Sequence, residues 1–273
     1  MGTIPDSPLG KAARVPEAYD PGLLYPVERA PQRDALGLRG ALPFAGVDRW
    51  TAWEASWLDA QSRPRVAVAT FVVPCTSPRL VESKSVKLWL ASLGHARFAS
   101  ADEFAATLRR DLSAATGADV SASVHLPGDW ARALARREPE GAAIDDATPM
   151  AMPDAPDAAL LDCTGGHADE TLLMRTFRSV CPVTGQPDMA EVSIAYRGPR
   201  IARAALYAYL LGFRRHPGFH EHCVERIFVD VDRACRPESL RVEARFARRG
   251  GVDINPLRSR GMAGGAPAPT LRQ

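Results

Sequence analysis

Cys181-Pro182-Val183-Thr184-Gly185-Gln186-Pro187-Asp188 sets a thiol seven residues from a carboxyl group in a segment dense in turn formers, and His220-Glu221 follows downstream. A thiol, a carboxylic acid and an imidazole are the equipment for covalent attack on an electrophilic carbon. Arg175 and Arg178 precede Cys181, and nearby positive charge draws a thiol down from its usual pKa of about 8.5 toward neutrality. The competing reading is structural: a cysteine is most often a small buried hydrophobe, and Asp188 forms a turn or caps a helix. In a partly closed pocket, Asp188 would instead donate protons at neutral pH.

His216, His220, His222 and Cys223 form the densest ligand-like cluster. A zinc site is the rival reading. Against it, Val224, Ile227 and Val231 place His220 on a packed helix face, and no Cys-x-x-Cys pair supports a structural metal. No metal is expected, and His220 and Glu221 are assigned to hydrogen-bonding a substrate. The run Glu82 to Lys87 opens a helix with two serines and two lysines. Glu82 favours the helix dipole, and the others can grip phosphate. Arg245, Arg248 and Arg249 with Gly250-Gly251, then Asp253, Asn255 and Arg258, give a second candidate anion-binding strip, with an exposed basic loop as the alternative. No G-x-G-x-x-G run follows a strand, which argues against a Rossmann domain.

These residues need elements to hold them. With 273 residues the chain can bury a large core, and length alone allows one or two domains. Apolar content of 46% and charged content of 24% are ordinary for a globular protein, and a net charge of +2 supports no direct nucleic-acid partner. The start, residues 1–14, lacks the apolar core of a signal peptide, and no run approaches the roughly 18 apolar residues of a membrane span. Five irregularly spaced cysteines point to a reducing cytoplasm with at least one free thiol, and not to a disulfide framework.

The first forty or so residues, rich in Pro, Gly and Arg, are expected to wrap over a surface without regular structure. Trp50, Trp53 and Trp57 recur at helical spacing, as a packing stripe. Residues 65–73 read as a strand covered on both sides, 82–93 and 102–112 as helices, and 120–126 as a short strand. Residues 139–156 read as a linker or long surface loop. Beyond them, 171–177 and 191–197 read as strands, 202–213 and 220–234 as helices, and 241–248 as a strand. The two halves repeat one order, which points to two related α+β domains with paired helices on one face of an antiparallel sheet. Such sheets leave edges that oligomerisation protects.

The runs Glu82 to Leu88, Cys181 to Asp188, Phe219 to Phe228 and Arg248 to Pro256 resemble, in order, the long two-domain form of the NADPH-dependent 7-cyano-7-deazaguanine reductases of queuosine biosynthesis. The resemblance covers about residues 43–259. It implies tandem tunnelling-fold domains in a cytoplasmic homodimer: an N-terminal extension at 1–42, a first domain at 43–138, a linker at 139–165, a second domain at 166–259 and a flexible tail at 260–273. Cys181 matches the family nucleophile and Asp188 its proton donor. His220 and Glu221 match residues that position the deazaguanine and assist proton transfer. Glu82, with Ser83 beside it, matches the carboxylate that recognises the purine-like edge. Ser83, Ser85 and Lys87, with Arg248, Arg249 and Gly250, lie in motifs associated with NADPH. The implied chemistry is a Cys181 thioimide and four-electron reduction by two NADPH, under a lid or in a buried pocket.

There are departures. Met189 stands where relatives often have an aromatic, and Cys75, where the first domain repeats the nucleophile segment, lacks the following Gly-Gln-Pro-Asp and reads as structural. The alternatives are a zinc-dependent cyclohydrolase of the same superfamily and a non-catalytic binder of purine-like ligands.

Overall fold

The computed structural model describes residues 16–262, 265 and 268–273. The chain divides into two compact units, each assembled from separated segments: residues 1–37, 49–135 and 248–253, and residues 38–48, 136–247 and 254–273. The class is α+β, with mostly antiparallel pairing. Among the described residues no helix is long and apolar enough to cross a membrane.

The first unit begins with β1 (Pro26–Glu28) and α1 (Ala30–Ala35), then β2 (Ala45–Leu58) and β3 (Pro64–Pro74). β4 (Arg79–Val81), α2 (Ser83–Leu93), α3 (Ala101–Thr116), β5 (Ser121–His125) and the short α4 (Trp130–Ala133) follow. β5, β3 and β2 are neighbours in the sheet. α3 starts at Ser100, whose hydroxyl accepts the Glu103 amide, and stops at Gly117 in the left-handed region. Its Phe104 stacks on Trp57 with ring centres 4.6 Å apart. The Trp89 indole of α2 donates to Asp111 of α3 at 3.1 Å.

Two expectations change here. The tryptophan stripe is a strand, not a helix: Trp50, Trp53 and Trp57 all lie in β2 and are buried. Burial on both faces removes the alternation that marks a strand, so the spacing carried no period. The N-terminal segment is not irregular either. β1 pairs antiparallel with β4, and the Arg33 guanidinium donates to the Cys75 carbonyl at 2.6 Å. Residues 1–15 lie outside the described residues.

The second unit carries β6 (Ala142–Ala143), β7 (Cys163–Val180), β8 (Pro187–Ile201), α5 (Arg203–Leu211), α6 (His220–Cys235), β9 (Ser239–Phe246) and β10 (Val252–Arg260). The order β10-β9-β8-β7-β6 is antiparallel except at β6–β7. Val192 faces Ala244, Ile194 faces Val242 and Tyr196 faces Leu240 in the register, giving one apolar face. α6 packs there, as the edge contact of His220 on Phe246 shows. The helix displays apolar residues at helical spacing (Val224, Ile227, Val231), all fully buried.

The segment 139–156 is more than a linker. It supplies β6, and the Asp145 carboxylate accepts the Arg175 and Thr176 amides at 2.9 Å, stopping the bulge between Met174 and Phe177. The basic strip expected of β10 is not exposed: Asp253, Asn255 and Arg258 are interior. Arg258 is 0% exposed between Asp48 and Glu225, each at 2.8 Å. Asn255 accepts the Phe246 amide at 3.2 Å, and Asp253 accepts the Trp53 indole. Nor is the last segment a free tail: Thr270 and Gln273 are buried, and the Gln273 amide donates to the Phe246 carbonyl at 3.1 Å.

Candidate active site

β7 and β8 form a hairpin whose last paired residues are Ser179 with Asp188 and Val180 with Pro187, leaving Cys181 to Gln186 as its loop. The loop closes on itself: the Cys181 amide donates to the Gln186 carbonyl at 2.9 Å, and the Gly185 amide to the Cys181 carbonyl at 3.1 Å. Gly185 adopts φ 68°, a conformation in which a side chain would be strained. From the other side, Val180 exchanges backbone hydrogen bonds of 3.1 Å with His216 and Gly218. Cys181 is thereby fixed at a strand end with its side chain half-buried.

Asp188 is 4% exposed and its carboxylate lies 3.9 Å from His220 Nε2. The His220 ring stands edge-on to Phe246 with centres 3.9 Å apart, so its plane is set by packing. Glu221 is buried in the first turn of α6, where the helix dipole favours a negative charge. Cys181, Asp188, His220 and Glu221 therefore all belong to the second unit, and the structure gathers Asp188 with His220. Two contributors escaped the sequence reading: Phe246, which seats His220, and the buried Ser179, which stands opposite Asp188 in the ladder. The pairing register, not the motif, reveals them.

Neighbouring groups behave differently. Burial pushes the Cys223 thiol up to about 12, and the charges of Asp188 and Glu221 push the same way. It is no competing nucleophile. Burial, reinforced by Arg226 and His222, lowers His216 to about 4, and burial lowers His222 too. Among the described residues no three His, Cys, Asp or Glu side chains converge to hold a metal ion. The expected role of Arg178 changes: its pairing with Met189 puts it on the face opposite Ser179 and Asp188. Arg175 sits exposed in the bulge.

The first unit holds the other candidates. Glu82 caps α2, one carboxylate oxygen accepting the Lys84 amide at 2.6 Å and the other the Ser85 amide at 2.8 Å. Each oxygen keeps a second lone pair, so the cap orients the carboxylate without exhausting it. Ser83 is half-buried at the first position of the helix. Ser85 is fully buried, donates to the Glu82 carbonyl at 2.6 Å and accepts the Tyr25 amide at 2.9 Å. It fixes the helix start and is not the surface contact expected of it.

Arg249 to Val252 make a tight turn in which Gly250 and Gly251 take φ of 61° and 79°, the combination a type I′ hairpin turn requires. A Cβ on Gly250 would stand 3.3 Å from Lys87 Cδ. The turn and Lys87 border a cavity of about 150 Å³ with Glu54 and Leu90. Arg248 lies 4.1 Å above the Trp53 ring, a cation–π contact that the sequence alone did not disclose.

The first 110 or so residues after the N-terminal stretch carry the signature of a reductase of nitriles: the family model described as nitrile reductase, 7-cyano-7-deazaguanine-reductase N-term, matches residues 15–124. A second model, QueF-like protein, matches residues 187–263 and so takes in Asp188, His220 and Glu221. Similarity thus starts upstream of residue 43. Relatives described as NADPH-dependent 7-cyano-7-deazaguanine reductase are 49% identical in Bordetella avium (97% of this chain, 96% of the relative) and 50% identical in Stenotrophomonas maltophilia (100% and 99%). One from Chromobacterium violaceum is 51% identical over 93% of this chain and 91% of its own length. The chain belongs to the NADPH-dependent 7-cyano-7-deazaguanine reductase family. A solved structure, the archaeosine synthase QueF-Like in the apo form, aligns with 37% of the chain at a TM-score of 0.32 and 19% identity.

Proposed function

We propose that this protein reduces the nitrile of 7-cyano-7-deazaguanine to the aminomethyl group with two NADPH, in the cytoplasm, as a step of queuosine tRNA modification. The observation that carries the reading is Cys181 at the mouth of the β7–β8 hairpin with buried Asp188 two pairs down the ladder and His220 3.9 Å from its carboxylate. A nitrile carbon is a modest electrophile. Addition of the Cys181 thiolate forms a C–S bond while the π pair moves to nitrogen, which takes a proton from Asp188, giving a thioimide. NADPH supplies hydride, the chemistry that converts such a C=N carbon in two steps to the amine. Between those steps the C–S bond breaks, Cys181 leaves as thiolate, and the imine stays enclosed because water would hydrolyse it. His220, its ring fixed on Phe246, carries protons to and from Asp188.

Lys87, Arg248, Arg249 and the glycine turn fit a phosphate-bearing cosubstrate. Gly250, at positive φ, leaves open the space beside Lys87 that a Cβ would fill, and the cations match phosphate oxygens. Glu82 and Glu221 are assigned to the donor edge of the purine-like ring, with Ser83 beside Glu82. Leaving such groups unmet by a wrong base costs about a thousandfold or more in selectivity. The reading includes tandem tunnelling-fold domains at 43–138 and 166–259, supported by the shared order of strands, two helices and a strand, and a homodimer without nucleic-acid or membrane partners.

The test is intact mass after anaerobic incubation with the nitrile and no NADPH. One substrate mass should add to the wild type and none to Cys181→Ala, which should also lose turnover. An unmodified wild type, or a Cys181→Ala variant that still turns over, overturns the mechanism.

A further inference from the structure

The face of β8 and β9 turned away from α5 and α6 carries a second polar hollow. Glu191, Ser193 and Ala195 stand opposite Arg245, Glu243 and Arg241 in the antiparallel register, so their side chains share one face. Asp188 has the other parity and belongs to the helix side. The face is charged yet interior: Glu191 is 2%, Ser193 5% and Arg245 9% exposed. It borders a cavity of about 430 Å³ completed by residues 137–140 and Ala268. The two rim segments are tied by the Arg137 amide donating to the Pro269 carbonyl at 2.9 Å.

Three buried polar atoms here meet no hydrogen-bonding partner among the described residues: Glu191 Oε2, Ser193 Oγ and Arg245 Nη1. The rest of the Arg245 guanidinium is committed, Nε donating to the Ala268 carbonyl at 3.0 Å and Nη2 pairing with Glu243 at 2.5 Å. Buried polar atoms are nearly always satisfied in folded proteins, so three on one small surface mark a place where something else supplies the partners. The hollow exceeds by far the roughly 30 Å³ share of one water, and it falls within the range of about 300–1,000 Å³ of small-molecule pockets.

Charge selects the ligand class. Arg137, Arg241 and Arg245 on the lining balance Glu138, Glu140 and Glu243, while Glu191, next to the lining on the same sheet face, has its other oxygen 3.5 Å from Arg272. An anion would meet Glu191 and a cation would meet Arg245, so the site fits neither. A guanidinium N–H and a carboxylate oxygen on directly paired residues match a carbonyl beside a ring N–H.

We propose that this hollow is a second ligand site, for a small uncharged heterocycle that presents a lactam edge. The lactam carbonyl accepts from Arg245 Nη1, the ring N–H donates to Glu191 Oε2, and the Ser193 hydroxyl meets a further ring nitrogen. The site does not rest on the nitrile chemistry.

Hypoxanthine, a neutral bicyclic lactam, is the probe, and purine, which lacks the carbonyl, is the control. Calorimetry and crystal soaks of the full-length protein should place hypoxanthine between Arg245 and Glu191, with purine about tenfold weaker. Ser193→Ala should weaken it about fivefold and Arg245→Lys about tenfold or more. Ser193→Ala should leave nitrile turnover unchanged, and Cys181→Ala should leave hypoxanthine at this site. The proposal fails if only ordered waters occupy the hollow at saturating probe, or if hypoxanthine affinity is insensitive to Ser193→Ala. Should Arg245→Lys not fold, the Ser193→Ala result decides alone.

Discussion

Replacing Arg258 with methionine removes the cation that lies between Asp48 and Glu225 while keeping most of the side chain's bulk. Arg258 is 0% exposed, and it also donates to the carbonyls of Val47 at 3.2 Å and Leu257 at 2.9 Å. Breaking a buried pair from one side costs about 3–5 kcal/mol, because the partner charge stays buried. Here two carboxylates lose their cation together, which places Arg258→Met at or above the top of that range. Against a typical total of about 5–15 kcal/mol this is a large share, and the thermal midpoint should fall by on the order of 10 °C. Urea unfolding followed by tryptophan fluorescence measures it. Glu225 lies on the helix that carries His220, so turnover should fall before the protein unfolds.

The sign with pH is a second reading of the same variant. A buried carboxylate without its cation binds a proton more readily folded than unfolded, so stability rises as pH falls from 7 toward 5. Adding Asp48→Asn and Glu225→Gln to Arg258→Met should recover most of the loss. A single-variant loss below about 1 kcal/mol would refute the claim that this cluster pins α6 to β10.

Three further outcomes are expected. Iodoacetamide at pH 8 should label Cys181 and Cys163 well before Cys223, which is buried and raised to about 12; peptide mass mapping that finds Cys223 labelled as fast as Cys181 would contradict this. His216, held at about 4 by burial, stabilises the fold fully above the unfolded pKa of about 6.5, and that contribution is lost as pH falls from there through 4. His216→Phe should therefore flatten the urea midpoint between pH 6.5 and 4. Gly250→Ala places a Cβ against Lys87 in a left-handed backbone, costing about 1 kcal/mol. It should raise the KM for NADPH severalfold with kcat nearly constant, and an unchanged KM would remove the turn from the cosubstrate site.

What the sequence disclosed was local. α2, α3 and α6 were legible because each buries an apolar stripe at helical spacing, and Glu82 announced its helix as an acidic residue just before it. Cys181, Asp188 and His220 were legible because a turn-rich loop and a helix start confine them to short motifs. The remainder depended on partners far along the chain. Asp253 and Arg258 read as exposed charge, yet they are interior because Trp53 and Asp48 lie about 200 residues away. Arg178 looked like a neighbour of the thiol, but a strand sends it to the opposite face from Ser179. The three tryptophans failed for a related reason: a strand buried on both sides shows no alternation.

The interleaving of segments governs how the polypeptide is made. The first unit needs residues 248–253, and the second needs residues 38–48. A ribosome has therefore nearly finished before either unit owns all of its parts, and nascent chains must wait with β2 incompletely paired. Such long-range closure slows folding and exposes strand edges meanwhile. Splitting the gene between the two units would accordingly yield fragments that each lack a strand segment, and neither should be recovered as an ordered module.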